Sequence, residues 1–489
     1  MARADRATIA AGTPGHLLMA RAGRAVARAA LDLCAGRYGR RAVVVCGKGN
    51  NGGDGAVAAR VLAREGLKVR CLLLFDPAEA RGDAALHLGA LTPAGVEPEP
   101  FSPAALQDAD VVVDAIFGTG FKGVVTGAAA DAIEAIGSYG GPVVAVDIPS
   151  GVDGATGRIA GPAVQADVTV ALAAEKIGTA LGDGALAAGL VEVADIGIDP
   201  GAARVAMVEA ADVSAVWPRR APDAHKQSSG VVAVLAGSRG LSGAALLCAR
   251  GAARAGAGYV ILGAPDEVER AAAAGLPEVI KRPLGGPDVL GPEALAGFSG
   301  VLERASALAL GPGLGQGPGQ SELVERAVAE VALPLVVDAD ALNALAKDPG
   351  ALTARRAPCV ITPHPGELAR LLGTTSAEVQ ADRLAAARGA AERFGCVVLL
   401  KGMRTVVAEP SGRAVVNPTG GPELATAGTG DVLTGVVARL LAAGLEPFAA
   451  AWAAAFVHGL AGTEAARRSG PGVLAGDVAE ALPKAAASL

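Results

Sequence analysis

Short apolar runs that stop abruptly at glycine- and aspartate-rich loops recur along the 489-residue sequence, and this alternation limits the fold more than any other feature. Residues 41–46, RAVVVC, run into GKGNNGGDG at 47–55. A helical pattern (Val57, Val61, Leu62) and a second apolar run over 69–75 follow, which predicts a βαβ unit. Two more such switches come next: VVVD (111–114) leads into AIFGTGFKG, and VVAVD (143–147) into IPSGVDG. In a parallel sheet all three loops would emerge at the carboxyl ends of the strands, the edge where open α/β sheets bind ligands. A helical pattern over 17–33 precedes the first strand, and a last apolar run, 168–173, leads to Lys176.

Gly47, Gly49 and Gly52 satisfy GxGxxG, and Asp76 follows the second strand, where a dinucleotide dehydrogenase carries its ribose-binding acid. Against that reading, Asn50, Asn51 and Asp54 make the loop more polar than pyrophosphate binding requires. Asn51, Asp114, Asp147 and Ser150 could instead share one pocket, whose neutral and acidic oxygens suit a hard monovalent or divalent cation. Each aspartate taken alone reads equally well as a turn cap. Lys176 is either a pocket residue or an ordinary exposed lysine.

Residues 216–230, VWPRRAPDAHKQSSG, are rich in Pro, Arg and Ser without a core period and predict the joint between domains at 1–215 and 221–489. A fresh α/β series begins there, with a strand over 231–236, a glycine loop over 237–243 and a helix of small residues over 244–255. Runs at 307–310, 335–338, 360–362 and 397–400 then lead into GPGLG, DADALNAL, PHPGE and KGMRT. The series closes on NPTGGPELATAGTGDVLTG (417–435) and a further helix near Phe448. Gly428 and Gly430 let successive backbone N–H groups crowd round an anion, and Val432, Leu433, Val436, Val437, Leu440 and Leu441 place a helix N-terminus beneath them. Asp431 in that first turn either caps free N–H groups or takes a proton from a hydroxyl brought up to a bound phosphate. His364, between two prolines at a strand exit with Glu367 close by, either touches a ligand or is an ordinary loop histidine. Lys401 could neutralise phosphate or simply mark the solvent end of its strand. Asp338 and Asp340 could bind Mg²⁺ through water or cap the DADALNAL helix, with the cap favoured. The sequence has no GxxxxGK[ST], which argues against a P-loop nucleotidase.

Composition narrows the class. The length suits two to four domains, and 51% apolar but only 3% aromatic residues point to a compact soluble α/β protein packed with small side chains. A net charge of −6 with no basic run interleaved with aromatics argues against a nucleic-acid or anionic-membrane surface. Arg3 and Arg6 precede a segment broken by Gly12, Pro14, Gly15 and His16, so no signal peptide is read. The alanine-rich stretch 448–465 contains His458 and reads as a buried helix rather than a membrane span. Six scattered cysteines form no CxxC pair or zinc pattern, and buried free thiols in a cytoplasmic protein are expected.

Taken jointly, GNNGGDG (49–55), DAIFGTG (114–120), DIPSGVDG (147–154) and the strand before Lys176 resemble the epimerase domain of the NAD(P)H-hydrate repair enzymes over residues 1–210. The resemblance implies a Rossmann-like three-layer α/β/α domain that interconverts the R and S hydrates at nicotinamide C6. It also implies that Asn50, Asn51, Gly52, Gly53 and Asp54, the run Gly118, Thr119, Gly120, Phe121, Lys122, Gly123 and Val124, and Asp147 hold the hydrate. Asn51, Asp114 and Ser150 would contact potassium, with Asp147 or Lys176 assisting proton movement. Ala20 stands where the family usually has Glu.

HK (225–226), LAGSRGLSGAA (235–245), GPGLG (311–315), DADALN (338–343), TPHPGE (362–367), KGMRT (401–405) and the 417–435 stretch resemble the ADP-dependent NAD(P)H-hydrate dehydratase, a ribokinase-like α/β domain. HKQSSG departs from a family that commonly has Gly directly after HK. This resemblance implies dehydration of the S-hydrate of NADH or NADPH at the expense of ADP, with AMP and phosphate released and Mg²⁺ on the phosphates. Gly243, Gly313, His364 and Asp431 would meet the hydrate. Lys401, Gly402, Met403, Arg404 and Thr405, with Gly428, Thr429 and Gly430, would meet the nucleotide. Asp431 would be the catalytic base. A vitamin or sugar-alcohol kinase in the second half and a ligand-binding scaffold in the first are the rival readings, and a homo-oligomer is left open.

Overall fold

The computed structural model describes residues 2–34, 39–201, 203–220, 222–223, 225–227, 229–286 and 288–489. The chain divides into two compact units, Met1–Ala203 and Arg204–Leu489.

Valine-rich runs with no polar alternation form strands buried on both faces, as a sheet covered by helices requires. Among the described residues the strands of the first unit are β1 (Arg41–Cys46), β2 (Lys68–Leu73), β3 (Pro98–Pro100), β4 (Val111–Ala115), β5 (Val143–Val146), β6 (Val168–Leu172) and β7 (Leu190–Ala194); β1, β4, β5 and β6 are largely buried in this way, whereas β3 and β7 at the two edges are partly exposed. The strands pair in the order β3-β2-β1-β4-β5-β6-β7, and every neighbouring pair is parallel. The order reverses between β1 and β4, which opens a crevice above their carboxyl ends. The GNNGGDG stretch is not the loop expected from its glycines: the helix Asn50–Arg64 starts within it. Burial overrides propensity here. Residues Asn51 to Ala59 are buried, and a Cβ on Gly23 of the helix Gly15–Leu33 would lie 2.6 Å from the Asp54 carbonyl. Asp76 caps a short 3₁₀ turn, its Oδ1 accepting from Ala78 N at 2.9 Å.

The second unit carries β8 (Val205–Met207), β9 (Val231–Leu235), β10 (Tyr259–Ala264), β11 (Ile280–Pro283), β12 (Ala307–Leu310), β13 (Leu335–Val337), β14 (Cys359–Ile361), β15 (Val397–Leu400), β16 (Val406–Ala408) and β17 (Ala414–Val416). The sheet order is β11-β10-β9-β12-β13-β14-β15-β16-β17-β8. It is parallel from β11 to β15, then antiparallel at β15–β16 and β16–β17. The last strand, β8, pairs parallel with β17 and so precedes the expected joint at 216–230, shifting the division of the chain forward to Ala203 and Arg204. A three-residue strand shows no period, and its partner lies some two hundred residues away, so the sequence hides it. Ala221, where the second domain was expected to start, and Ser228 of HKQSSG lie outside the described residues.

The second core is closed by the helices Ser242–Arg254, Thr429–Ala442, Pro447–Ser469 and Ala475–Ala487. All of 432–442 is buried. The first two of these helices meet glycine to backbone: a Cβ on Gly251 would lie 2.4 Å from the Val432 carbonyl, and one on Gly435 would lie 2.1 Å from the Cys248 carbonyl. All six cysteines are free and buried. Among the described residues no helix is long and apolar enough to cross a membrane.

The glycine crossing generates a stability test. Gly435→Ala would gain about 1 kcal/mol in helix propensity, but its methyl group has no room, and overpacking costs typically about 1–3 kcal/mol. We expect a net loss, read as a lower urea midpoint for the second unit. An unchanged or raised midpoint would contradict this packing.

Candidate functional site

In the second unit the strand order reverses between β9 and β12, and the loops that follow them touch. Gly313 has φ +63°, and a Cβ there would lie 2.7 Å from the Leu241 carbonyl. Ser238 Oγ donates to the Gly313 carbonyl at 2.8 Å. Gly243, in the first turn of Ser242–Arg254, faces open space where a Cβ would stand. The helix Thr429–Ala442 begins after Gly428, whose φ of +91° only glycine adopts without strain and where a Cβ would lie 2.5 Å from Leu247 of the helix Ser242–Arg254.

Asp431 does not cap that helix, because no side chain closes its N-terminus. Burial pushes its carboxyl up to about 7, with Asp338 adding and Lys401 opposing. Lys401, at the end of β15, places Nζ 2.8 Å from Asp338 Oδ1 and 3.8 Å from Glu367 Oε2. Burial works against its charge, but Asp338 and Glu367 outweigh that and hold its pKa above the usual range. The same Nζ lies 3.4 Å from where a Gly430 Cβ would stand, so lysine and glycine turn face each other. Thr434 Oγ1 donates to Asp338 Oδ2 at 2.6 Å. Asp340 Oδ2 accepts from Gly315 N at 2.9 Å. The helix Asp340–Leu345 has no side-chain cap, so the expectation that Asp338 or Asp340 caps it is corrected: each is drawn to a donor on another segment.

His364 closes the N-terminus of the helix Pro365–Leu372. Its Nδ1 accepts from Gly366 N at 3.0 Å and Glu367 N at 3.3 Å, while Glu367 Oε2 accepts from His364 N at 2.8 Å. Burial, then Lys401 and Arg370, lower its pKa. With Nδ1 accepting, the neutral ring carries its proton on Nε2, which lies 3.5 Å from Glu367 Oε1. Lys401 is thus no solvent marker, and Glu367, noted in the sequence only as a neighbour, belongs to the charged group. Burial raises the Glu367 carboxyl, opposed by Lys401. His458, used above only against a membrane span, bonds Thr429 O through Nε2 at 2.9 Å, and burial lowers it to about 4. No spacing signals either partnership.

In the first unit the loops after β1, β4 and β5 converge. Glycine allows it: a Cβ on Gly52 would lie 1.8 Å from the Gly47 carbonyl, and one on Gly47 would lie 2.1 Å from the Ile116 carbonyl. Asn51 Nδ2 donates to Phe117 O at 3.0 Å, and its Oδ1 is 3.1 Å from a Cβ built on Gly118. Asp114 is fully buried and accepts from Ser150 Oγ at 2.6 Å, Ser150 N at 2.8 Å and Ile116 N at 3.2 Å. Burial pushes it up to about 6 against those hydrogen bonds. Ser150 Oγ also accepts from Phe117 N at 2.9 Å.

Lys176 is buried and ion-paired to Asp147, whose φ of +68° is rare for a residue other than glycine. Lys176 Nζ also donates to Leu172 O at 2.6 Å. Asp54, buried in the helix start, has its carboxyl raised by burial, then by Asp147 and Asp5, against Lys176. Asn50, Thr119, Gly120, Lys122, Gly123 and Val124 are exposed, and Phe121 stacks on Phe117 with ring centroids 4.9 Å apart. Ala20 is buried.

A family model described as NAD(P)H-hydrate dehydratase matches residues 232–484, and one described as YjeF-related protein N-terminus matches residues 15–178. The bifunctional NAD(P)H-hydrate repair enzyme of Moorella thermoacetica is 44% identical over 91% of this chain and 87% of its own length. That of Salinibacter ruber is 40% identical over all of this chain and 95% of its own. The crystal structure of the ADP/ATP-dependent NAD(P)H-hydrate dehydratase of Bacillus subtilis, co-crystallised with ATP and Mg²⁺, is 31% identical with a TM-score of 0.50. It covers 58% of this chain and 98% of its own. A ribokinase-like superfamily protein of Enterococcus faecalis, 24% identical with a TM-score of 0.52 over 59% of this chain and 98% of its own, shares the fold. By sequence across both units, the chain belongs to the family of bifunctional NAD(P)H-hydrate repair enzymes.

Proposed function

We propose that the chain returns hydrated NADH and NADPH to use. The first unit interconverts the R and S hydrates, and the second dehydrates the S form at the expense of ADP, giving AMP and phosphate. The observation that carries this reading is Asp431, a half-buried residue whose carboxyl is pushed up to about 7, beside a lysine-faced glycine turn at a helix N-terminus. The relatives' names and the ATP and Mg²⁺ in the Bacillus subtilis structure support the substrate and nucleotide classes.

Water leaves poorly at neutral pH, so the C6 hydroxyl must first become a better leaving group. As that oxygen attacks the β-phosphorus of ADP, its proton passes to Asp431 and the bond to AMP breaks. The N–H groups of 428–430 and the Lys401 ammonium stabilise charge gathering on the transferred phosphoryl. The C6–O bond then breaks with the ring nitrogen's electron pair pushing, phosphate departs, and loss of a C5 proton restores the dihydropyridine. His364 Nε2–H, Gly243 and Gly313 orient the hydrate, while 401–405 hold the nucleotide. Mg²⁺, when bound with the nucleotide, would neutralise phosphate charge. Asp338 and Asp340 are engaged with Lys401, Thr434 and Gly315, so phosphate oxygens rather than this carboxylate pair would hold the ion.

In the first unit, Asn50 to Asp54, the 118–124 segment and Asp147 hold the hydrate while it opens and recloses. Asn51, Phe117 O, Ser150 and Asp114 gather oxygens of the kind K⁺ prefers, and there the ion would fix the crevice loops. The six buried free thiols suit the cytoplasm.

Both hydrates of NADH supplied to the intact protein with ADP and Mg²⁺ test the whole reading. Full return of NADH absorbance with AMP as the spent nucleotide is expected, whereas ADP formed from ATP as the only nucleotide product would indicate an ordinary kinase. Asp147→Asn, which removes the buried partner of Lys176, should leave recovery of the S fraction intact and slow that of the R fraction to the uncatalysed rate.

Asp431→Asn should keep ADP affinity and cut dehydration by roughly two orders of magnitude or more. In the wild type, kcat/KM should fall below an apparent pKa of about 7, because the base must be unprotonated. The same group sets a stability effect of definite sign. Its folded pKa lies above its unfolded one, so the folded state binds the proton more tightly and loses stability as pH rises from about 4 to 7. Asp431→Asn should therefore melt higher than wild type at pH 8, with the difference vanishing near pH 4. Equal melting at both pH values would show that Asp431 is not strained by burial.

A further inference from the structure

Arg383 opens the helix Arg383–Phe394 and is only 7% exposed. Its guanidinium donates from Nη1 to the carbonyls of Met403 and, at 3.3 Å, Arg404. From Nη2 it donates to those of Leu400 at 3.2 Å and Lys401 at 3.3 Å. Its Nε is buried with no partner. Among the described residues no carboxylate lies within ion-pair distance, although burial lowers its pKa only to about 10, which leaves it charged at neutral pH. A buried guanidinium is ordinarily paired with an acid. Here four carbonyl dipoles of one turn take that place.

The turn has been shaped to the guanidinium. Gly402 has φ +140°, and a Cβ there would lie 2.9 Å from Arg383 Nη2, so the backbone rests directly on the arginine. Arg404 has φ +55°, a left-handed conformation uncommon outside glycine and asparagine. With these carbonyls turned inward, the N–H groups of Gly402, Met403, Arg404 and Thr405 make no backbone hydrogen bond among the described residues. Gly402 and Met403 are exposed. Successive free N–H groups above a positive charge form an anion-binding surface.

We propose that Arg383 is a positioning residue for the nucleotide: it gathers the carbonyls of the 400–405 turn so that the turn's N–H groups face outward, and its uncompensated charge is balanced by the phosphates of a bound nucleoside diphosphate. The proposal rests on the reading of 401–405 as the ADP segment. Arg383 touches neither substrate nor reacting atoms, so its loss acts on nucleotide binding and not on the chemical step. Lysine cannot replace the fork, because one ammonium reaches fewer of the four carbonyls.

The test compares Arg383→Met, Arg383→Lys and Gly402→Ala in the full-length protein, with ADP binding by calorimetry and KM for ADP, KM for the S-hydrate and kcat by steady-state assay. R-hydrate epimerisation in the first unit reports intact protein. Arg383→Met should weaken ADP binding and raise its KM roughly 10- to 100-fold, the scale of lost charge-assisted hydrogen bonds. kcat at saturating ADP and KM for the hydrate should stay within about twofold. Gly402→Ala, which pushes on the guanidinium from the turn side, should shift KM for ADP in the same direction, and Arg383→Lys should fall between wild type and Met. Unchanged ADP binding in Arg383→Met, or an equal loss in kcat and both KM values across the three variants, would overturn the positioning role. Wild-type protein that dehydrates the hydrate without binding ADP would overturn the nucleotide reading itself, and this proposal with it.

Discussion

The ion pair between Lys401 and Asp338, 2.8 Å apart, is the contact on which the second site depends. It ties the end of β15 to the end of β13, two strands that are not neighbours, with β14 between them. Thr434 joins the same carboxylate from the helix above. Three segments separated by tens of residues are thereby fixed to one buried charge. Removing a partner from such a pair leaves an uncompensated buried ion, at a cost typically of about 3–5 kcal/mol, so the geometry is held firmly. Burial is the main cause that raises Asp431, and the pair modifies it in opposite senses, Asp338 raising it further and Lys401 restraining it. A lysine placed for structure is in this way also placed for chemistry.

That arrangement requires the helix Thr429–Ala442 to sit deep against the sheet, and small residues make it possible. Gly251 and Gly435 bring two helix backbones together where any side chain would intervene, and the alanines of Pro447–Ser469 line the next layer. The low aromatic content reads accordingly as a packing device: close approach supplies contact that large side chains supply elsewhere. His458 from that layer holds the Thr429 carbonyl, so the glycine turn is supported from beneath as well as from its flank.

Much of this was legible because apolar runs of four or more residues carry their own signal. The strands at 41–46, 307–310 and 397–400 fall where the sequence put them. The strands β8, β16 and β17 did not show, since three residues have no period and their pairing is decided by partners remote in sequence or by a hairpin. Glycine misled once: in 50–55 it looked like a loop, whereas burial between β1 and the helix Gly15–Leu33 makes a helix of it despite poor propensity. In the second unit, a glycine turn marked Asp431 and strand exits marked Lys401 and His364 as candidates, but the contacts of Asp338, Glu367 and Arg383 are ones that no spacing encodes. A lone arginine at a helix start looks like any surface arginine until the carbonyls it collects are seen.

The two units share a division of labour between carboxylates. Asp114 and Asp338 are buried and satisfied, the first by Ser150 and Ile116, the second by Lys401 and Thr434. Each joins loops that would otherwise be independent. Asp54 and Asp431 are held above the ordinary carboxylate range, and no hydrogen bond to either side chain is found among the described residues. An acid with no donor to stabilise its charge keeps its proton to higher pH. Each crevice thus combines an aspartate tied into hydrogen bonds with one whose side chain has none among the described residues. The order reversal of a parallel sheet provides the place for both, because only there do two neighbouring strand exits turn to opposite faces and leave a gap for a ligand.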